Sequence, residues 1–248
     1  MKYMIFILLT LMGKVSSAQS NQMGEVSYKL ITNLTGDSSK KIQAQAILSF
    51  SNESSFYKTG LYKNLVSEDT TEIIQSNDED KIESVYISFK ESQMISRQFA
   101  FTELVWVGSN LDKIDWKLLP QRKVIASFVC HRAEGKVRGR LYTAWFAPDI
   151  PTNAGPWKLN GLPGVILEAV DSENKVKFVA DKVSLFNKSS INSTLIKPTT
   201  KQKVLNEPEF LKVMRVNKDN FIKMIKSRPG VEGDFNVDIK SIEIYPEK

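Results

Sequence analysis

The chain predicts a mainly β protein of the α+β class, an antiparallel sheet, curved or half-barrel, with one helix near the carboxyl end. Three observations carry this. Period-two alternation dominates the hydrophobic pattern, as in Ile42, Ala44, Ala46, Leu48 and Phe50 against mostly polar neighbours. Successive strand-like runs are joined by short reversals, without the crossover helices that parallel pairs need. A single segment, near the end, has helical spacing.

The elements follow in order. Residues 1–18 have a Lys after Met1, an apolar stretch Tyr3–Gly13, and Ser16 and Ala18 where cleavage needs small residues. They read as a signal peptide, too short in its apolar part to span a bilayer, which takes roughly 20 residues. The mature chain would be Gln19–Lys248, a single β-rich domain that does not span the membrane, exported to the periplasm or cell envelope. After 42–50, strands are expected at Val85–Phe89, at Phe99 and Phe101 leading into Leu104–Val107, over Val124–Cys130, and over Leu141–Trp145. Val165–Val170 and Val176–Ala180 form a hairpin through Asp171-Ser172-Glu173-Asn174. The Ser/Thr/Lys-rich stretch 187–205 reads as a polar loop. Asn206 and Glu209 make a capping box with Pro208 in the first turn of a helix over about 207–228. Phe210, Val213, Met214, Phe221, Met224 and Ile225 form its core face. Val237-Ile239 and Ile242-Ile244 are strand-like and change phase at Lys240-Ser241, which implies a bulge.

Composition narrows the function. Net charge is +6, and +4 once Lys2 and Lys14 leave with the signal. That is too mild, with no long basic block, for a nucleic-acid partner. Cys130 is the only cysteine, so the chain has no internal disulfide, and burial is the common state of such a thiol. His131 is the only histidine, so His-rich metal sites and Cys/His metal clusters of usual spacing cannot be built, and a Ser-His-Asp triad is not expected. Cys130 and His131 are neighbours on a strand and would face opposite sides, so they make no dyad. Neither a phosphate-cradling nor a dinucleotide Gly-rich loop occurs, and no cofactor is implied. Carboxylates remain, with Asp149, Glu168 and Asp171 best placed.

Two stretches could bind something. In Arg138-Gly139-Arg140-Leu141-Tyr142, a strand would set both guanidinium groups and the phenol on one face, able to hold a carboxylate or phosphate. The alternative is a solvated face paired with acids on the next strand. In Gly155–Val165, Leu162-Pro163-Gly164-Val165 fits a type II turn, Gly155-Pro156 is a second reversal, and a buried Trp157 would pin the loop. Physically this is a rigid double corner feeding the strand at 165. The candidate binding residues are Arg138, Arg140, Tyr142, Trp145, Trp157, Leu162, Pro163 and Gly164.

The same residues carry a resemblance. Gly161-Leu162-Pro163-Gly164-Val165-Ile166, after Gly155-Pro156-Trp157, resembles the signature of the GLPGLI family. Upstream, Cys130, Ala133, Gly139-Arg140, Tyr142, Ala144-Trp145-Phe146 and Ile150-Pro151 match the block preceding that hexapeptide, with Val165 in place of Leu and Phe146 in place of Tyr. The likeness covers about 130 to 171. It implies an exported protein of unknown function from Gram-negative bacteria rich in outer-membrane nutrient receptors, and supplies no catalytic residues.

The expected function is therefore a non-enzymatic periplasmic or cell-envelope protein whose curved sheet, partly closed by the helix, binds an apolar ligand, a peptide or an envelope partner. One alternative is an interaction module serving an outer-membrane receptor, with Cys130 exposed at the contact. The other is a carboxylate-dependent hydrolase, which needs two convergent acids ~5–10 Å apart. The sequence is silent on oligomeric state.

Overall fold

The computed structural model describes residues 23–35, 41–67, 70–74, 82–186, 197–229, 237 and 241–245. The expected signal peptide, the mature start at Gln19, residues 187–196 of the polar loop and Lys240 of the expected bulge lie outside them.

Among the described residues, thirteen strands form one sheet. They are β1 (Met23–Thr32), β2 (Lys41–Phe50), β3 (Ser54–Ser67), β4 (Thr70–Ile74), β5 (Ser84–Ser88), β6 (Gln93–Ala100) and β7 (Glu103–Asn110). Then come β8 (Lys117–Ile125), β9 (Phe128–Val137), β10 (Arg140–Ala147), β11 (Val165–Asp171), β12 (Val176–Phe186) and β13 (Val204–Leu205), before helix α1 (Glu207–Lys226). The order is β13-β7-β6-β5-β3-β2-β1-β12-β11-β10-β9-β8, with β4 on β3. All pairs are antiparallel except β13 with β7.

The sheet curls strongly. From β7 to β9 is nine strand steps, about 43 Å across a flat sheet at ~4.8 Å per step. Yet Asp112, just past β7, lies 3.1 Å from Arg138 at the end of β9. The two flanks of the sheet are folded toward each other, as a curved or half-barrel sheet requires. The concave face is apolar by alternation: Val26, Tyr28 and Leu30 of β1 sit beside Ala44, Ala46 and Leu48 of β2. Ala144 and Phe146 of β10, and Val165, Leu167 and Ala169 of β11, continue that core.

The segment 148–164 folds into the core, and its Ala154, Trp157, Leu159 and Leu162 are all buried. It is tied to β11 by Val165 N–H donating to Ile150 O and Ile166 N–H to Ala154 O. The Tyr28 hydroxyl, fully buried, donates to Ile166 O at 2.5 Å. At the other flank α1 packs Phe210 and Met214 against Ala100 and Val107, and Phe221 meets Phe101 edge-on. The capping box is formed as expected: Glu209 N–H donates to Asn206 Oδ1 and Asn206 N–H to a Glu209 carboxylate oxygen. The helix stops at Lys226, capped by Ser227, two residues before the expected end.

Four local expectations change. Val124–Cys130 is not one strand but the β8–β9 hairpin, reversing at Ala126 and Ser127 with φ of 47° and 71°. Phe101, at φ 67°, begins the turn between β6 and β7 instead of extending into β7. Val204–Leu205, placed in the polar loop, are paired to Trp106 and Val107. Residues 241–245 form no strand; side chains and single backbone bonds hold them instead of a ladder.

Candidate ligand cavity

A cavity of about 380 Å³ lies between the concave sheet, α1 and the segment 241–245. Strand alternation puts Leu30, Ile42 and Val85 on its floor, and Phe99 of β6, Trp157 of the 148–164 segment and Met214 of α1 line the rest. Polar side chains make up the smaller part, among them Glu83, Arg97 and Gln98 from the β5–β6 region, and Ser241 and Glu243 from the carboxyl-terminal segment. The size falls in the range of ~300–1,000 Å³ typical of small-molecule sites, and the mix of apolar wall with few polar groups is theirs too.

One wall depends on buried ion pairs. Lys158 and Glu243 form an ion pair, both nearly fully buried, and Lys158 Nζ also donates to Gln98 Oε1 at 2.8 Å. Burial pushes the Lys158 ammonium below its ordinary range, opposed by Glu243 beside it. Arg140, 8 % exposed, spends all three of its nitrogen groups within the chain. Nη1 donates to Asp171 Oδ2 at 2.9 Å, Nε to Ile242 O at 2.7 Å, and Nη2 to Ser241 O at 3.1 Å. Asp171 Oδ1 meanwhile accepts from the Lys175 and Val176 amides, which shapes the β11–β12 hairpin.

The candidate binding residues separate in this arrangement. Trp157 lines the cavity, held at φ 54° in the turn that Leu159 N–H closes onto Pro156 O. Arg140 stands behind the cavity wall. Arg138 is not on the strand: with Gly139 it makes the β9–β10 turn, at φ 47° and 86°. It therefore does not share a face with Arg140; it binds Glu207 at 2.8 Å and Asp112 at 3.1 Å, and lines a smaller cleft of about 140 Å³ with Lys158 and Asn160.

Tyr142 faces inward and is fully buried, and its hydroxyl has no hydrogen-bond partner among the described residues. Burial, then the charge of Asp171, pushes that phenol well above its ordinary range. Tyr142→Phe should therefore lose no stability, whereas Tyr28→Phe, which removes the bond to Ile166 O, should cost about 1 kcal/mol. Thermal unfolding of the two variants side by side checks this; equal losses would contradict the assignment.

Trp145 is on the other side of β10, half-buried under Lys123 at 4.4 Å, and Lys123 also pairs with Glu168 at 2.8 Å. Leu162 is core and Pro163 is exposed. The expected type II turn is tighter: Gly164 N–H donates to Leu162 O at 2.9 Å, a three-residue turn around Pro163. Gly164 has φ 157° and is needed for close approach, because a Cβ there would lie 2.3 Å from Ala147 O. The corner is a packing device.

Geometry bears on two further expectations. Cys130 is fully buried, and burial pushes its thiol up to about 11, so it is not exposed at any contact of this fold. Glu168 and Asp171 face opposite sides of β11, with Asp171 bound to Arg140 and two amides, so these two do not converge; Asp149 is exposed just past β10 and, like Glu168, acts electrostatically on the Cys130 thiol. Among the described residues no cluster of three or more His, Cys, Asp or Glu could hold a metal, and no helix is long and apolar enough to cross a membrane.

A family model described as "Protein of unknown function (Porph_ging)" matches residues 134–168. That block holds Arg138, Arg140, Trp157 and Lys158. Two solved structures of PNGF-II, in P21 and C2 space groups, are similar over 78 % of this chain, at 14 % and 15 % identity with TM-scores of 0.48 and 0.50. The aligned part is 33 % of the PNGF-II chain, so this chain spans about a third of that protein, and the likeness is one of fold. No curated protein matches the chain.

Proposed function

We propose that this is a non-enzymatic protein of the bacterial cell envelope, exported to the periplasm, whose cavity holds an apolar or amphipathic small molecule. The observation that carries the reading is the 380 Å³ cavity itself, apolar over most of its wall and bordered by a few polar groups. Export rests on the signal-like residues 1–18. The GLPGLI resemblance of 130–171 points the same way, and the matched block of unknown function lies within that stretch. The site offers a place to hold a molecule more than a place to transform one: its buried charges are paired with one another.

The test is uptake of an apolar fluorophore, 1-anilinonaphthalene-8-sulfonate, by the folded chain. Ala44, 2 % exposed, lines the cavity, so Ala44→Phe fills the space from the floor. Binding by the wild type and a loss of at least about tenfold in the folded variant, some 1.4 kcal/mol, is expected. Equal binding by both would place the fluorophore elsewhere and count against the cavity.

A second reading, an interaction module for an outer-membrane partner, is favoured by β8. It is the last strand of the sheet order, with Leu118 and Val124 exposed at 58 % and 69 %. Its Pro120, Lys117 and Lys123 are, however, the residues that blunt edge pairing.

A further inference from the structure

The wall formed by residues 241–245 is attached differently from the others. The floor strands are hydrogen-bonded to neighbours along their length. The 241–245 segment is gripped at separate points. Arg140 takes the Ser241 and Ile242 carbonyls, Ile244 N–H donates to Arg138 O at 3.0 Å, and Lys158 holds Glu243. Gly139 lets Ile244 lie against the β9–β10 turn, where a Cβ would come 2.7 Å from Ile244 Cβ. Beyond that, Tyr245 leans on Phe210 at 5.7 Å. Every grip except the last comes from residues 138–158, inside the matched block. Ser241, Ile242, Glu243 and Tyr245 all face the cavity.

We propose that 241–245 is a strap gating the cavity, latched by Arg138, Arg140 and Lys158, and that its release is the route by which the occupant enters and leaves. The inference rests on the cavity reading above and adds a function for the matched block: it closes the site. The physical ground is that, among the described residues, the segment is held by separate side-chain and backbone bonds and by no strand ladder. Segments held by a few contacts open locally at a fraction of the free energy of global unfolding, whereas laddered strands open with the whole domain. Lys158 suits a latch, since its buried charge is balanced by Glu243 only while the strap is down.

Hydrogen exchange on the full chain tests the opening directly. The Ile244 amide should exchange about 100-fold faster than the amides of β1 and β2, and Glu243→Gln should speed it about tenfold more while leaving β1 and β2 unchanged. Exchange of Ile244 at the rate of β1 and β2 would mean the strap opens only on unfolding, and the gate would be wrong. Stopped-flow binding of 1-anilinonaphthalene-8-sulfonate tests the gating. Phe210→Leu, which weakens the outer contact with Tyr245 from a residue outside the cavity lining, should raise association and dissociation rates together by about tenfold, with the dissociation constant changed by less than about threefold. A static wall would instead leave association unchanged and only speed dissociation, which overturns the proposal. The cavity reading fails differently, by the wild type binding no fluorophore at all.

Discussion

Arg140→Met is expected to cost about 3–5 kcal/mol and to lower the melting temperature on the order of 10 °C. Asp171 is almost fully enclosed, and Arg140 is the cation beside it; the methionine would leave that carboxylate with only the two hairpin amides. The Ser241 and Ile242 carbonyls would lose their donors in the same step. Arg140→Lys should recover little, because one ammonium cannot reach three acceptors laid out for a planar fork. Arg140→Met with Asp171→Asn should recover part of the loss, because no buried charge is then stranded. Thermal and urea unfolding of the three variants measures this. A melting temperature for Arg140→Met equal to wild type would show that Arg140 is not what holds the hairpin and the strap together.

Gly164→Ala should be nearly as damaging, at about 3 kcal/mol or more. Its Cβ would stand 2.3 Å from Ala147 O, 2.6 Å from Ala147 C and 2.9 Å from Pro148 Cα. All three are backbone atoms at the exit of β10, so relief requires β10 and β11 to move apart. Gly161 in the same hexapeptide is the control. It has φ 87°, and its nearest neighbour to a built Cβ is Trp116 Nε1 at 3.9 Å. Gly161→Ala should therefore cost only the left-handed strain, about 1 kcal/mol. Chemical denaturation distinguishes them. Equal costs would mean the Gly164 contact is relieved by a small local shift.

The two glycines show how far the sequence could be read. That Leu162-Pro163-Gly164 makes a corner is legible from local turn chemistry. That Gly164 is pressed against Ala147 is not, because the contact joins two elements and depends on where β10 ends. Alternation reveals the strands at 42–50 and 85–89, and Val26, Tyr28 and Leu30 of β1 carry the same signal. The Asn206–Glu209 box marks the helix start because its partners are three residues apart.

Ala126-Ser127 turns without glycine or asparagine, so a β-branched run on both sides reads as one strand. Arg138-Gly139 did contain a hairpin signal, a residue before Gly between alternating runs, but strand spacing of the two arginines obscured it. The cavity itself was the least legible part. Lys158 and Glu243 are 85 residues apart, Arg140 and Ile242 102 apart, and neither pairing has a local pattern. Only Trp157 among the candidate residues lines the cavity.

The native mass of the chain, purified gently from a bacterial periplasm and compared with its denatured mass, tests the central claim most directly. The cavity reading predicts extra mass of a small molecule that disappears on denaturation and is reduced in Ala44→Phe. A bare chain by native mass that also takes up no 1-anilinonaphthalene-8-sulfonate would contradict it.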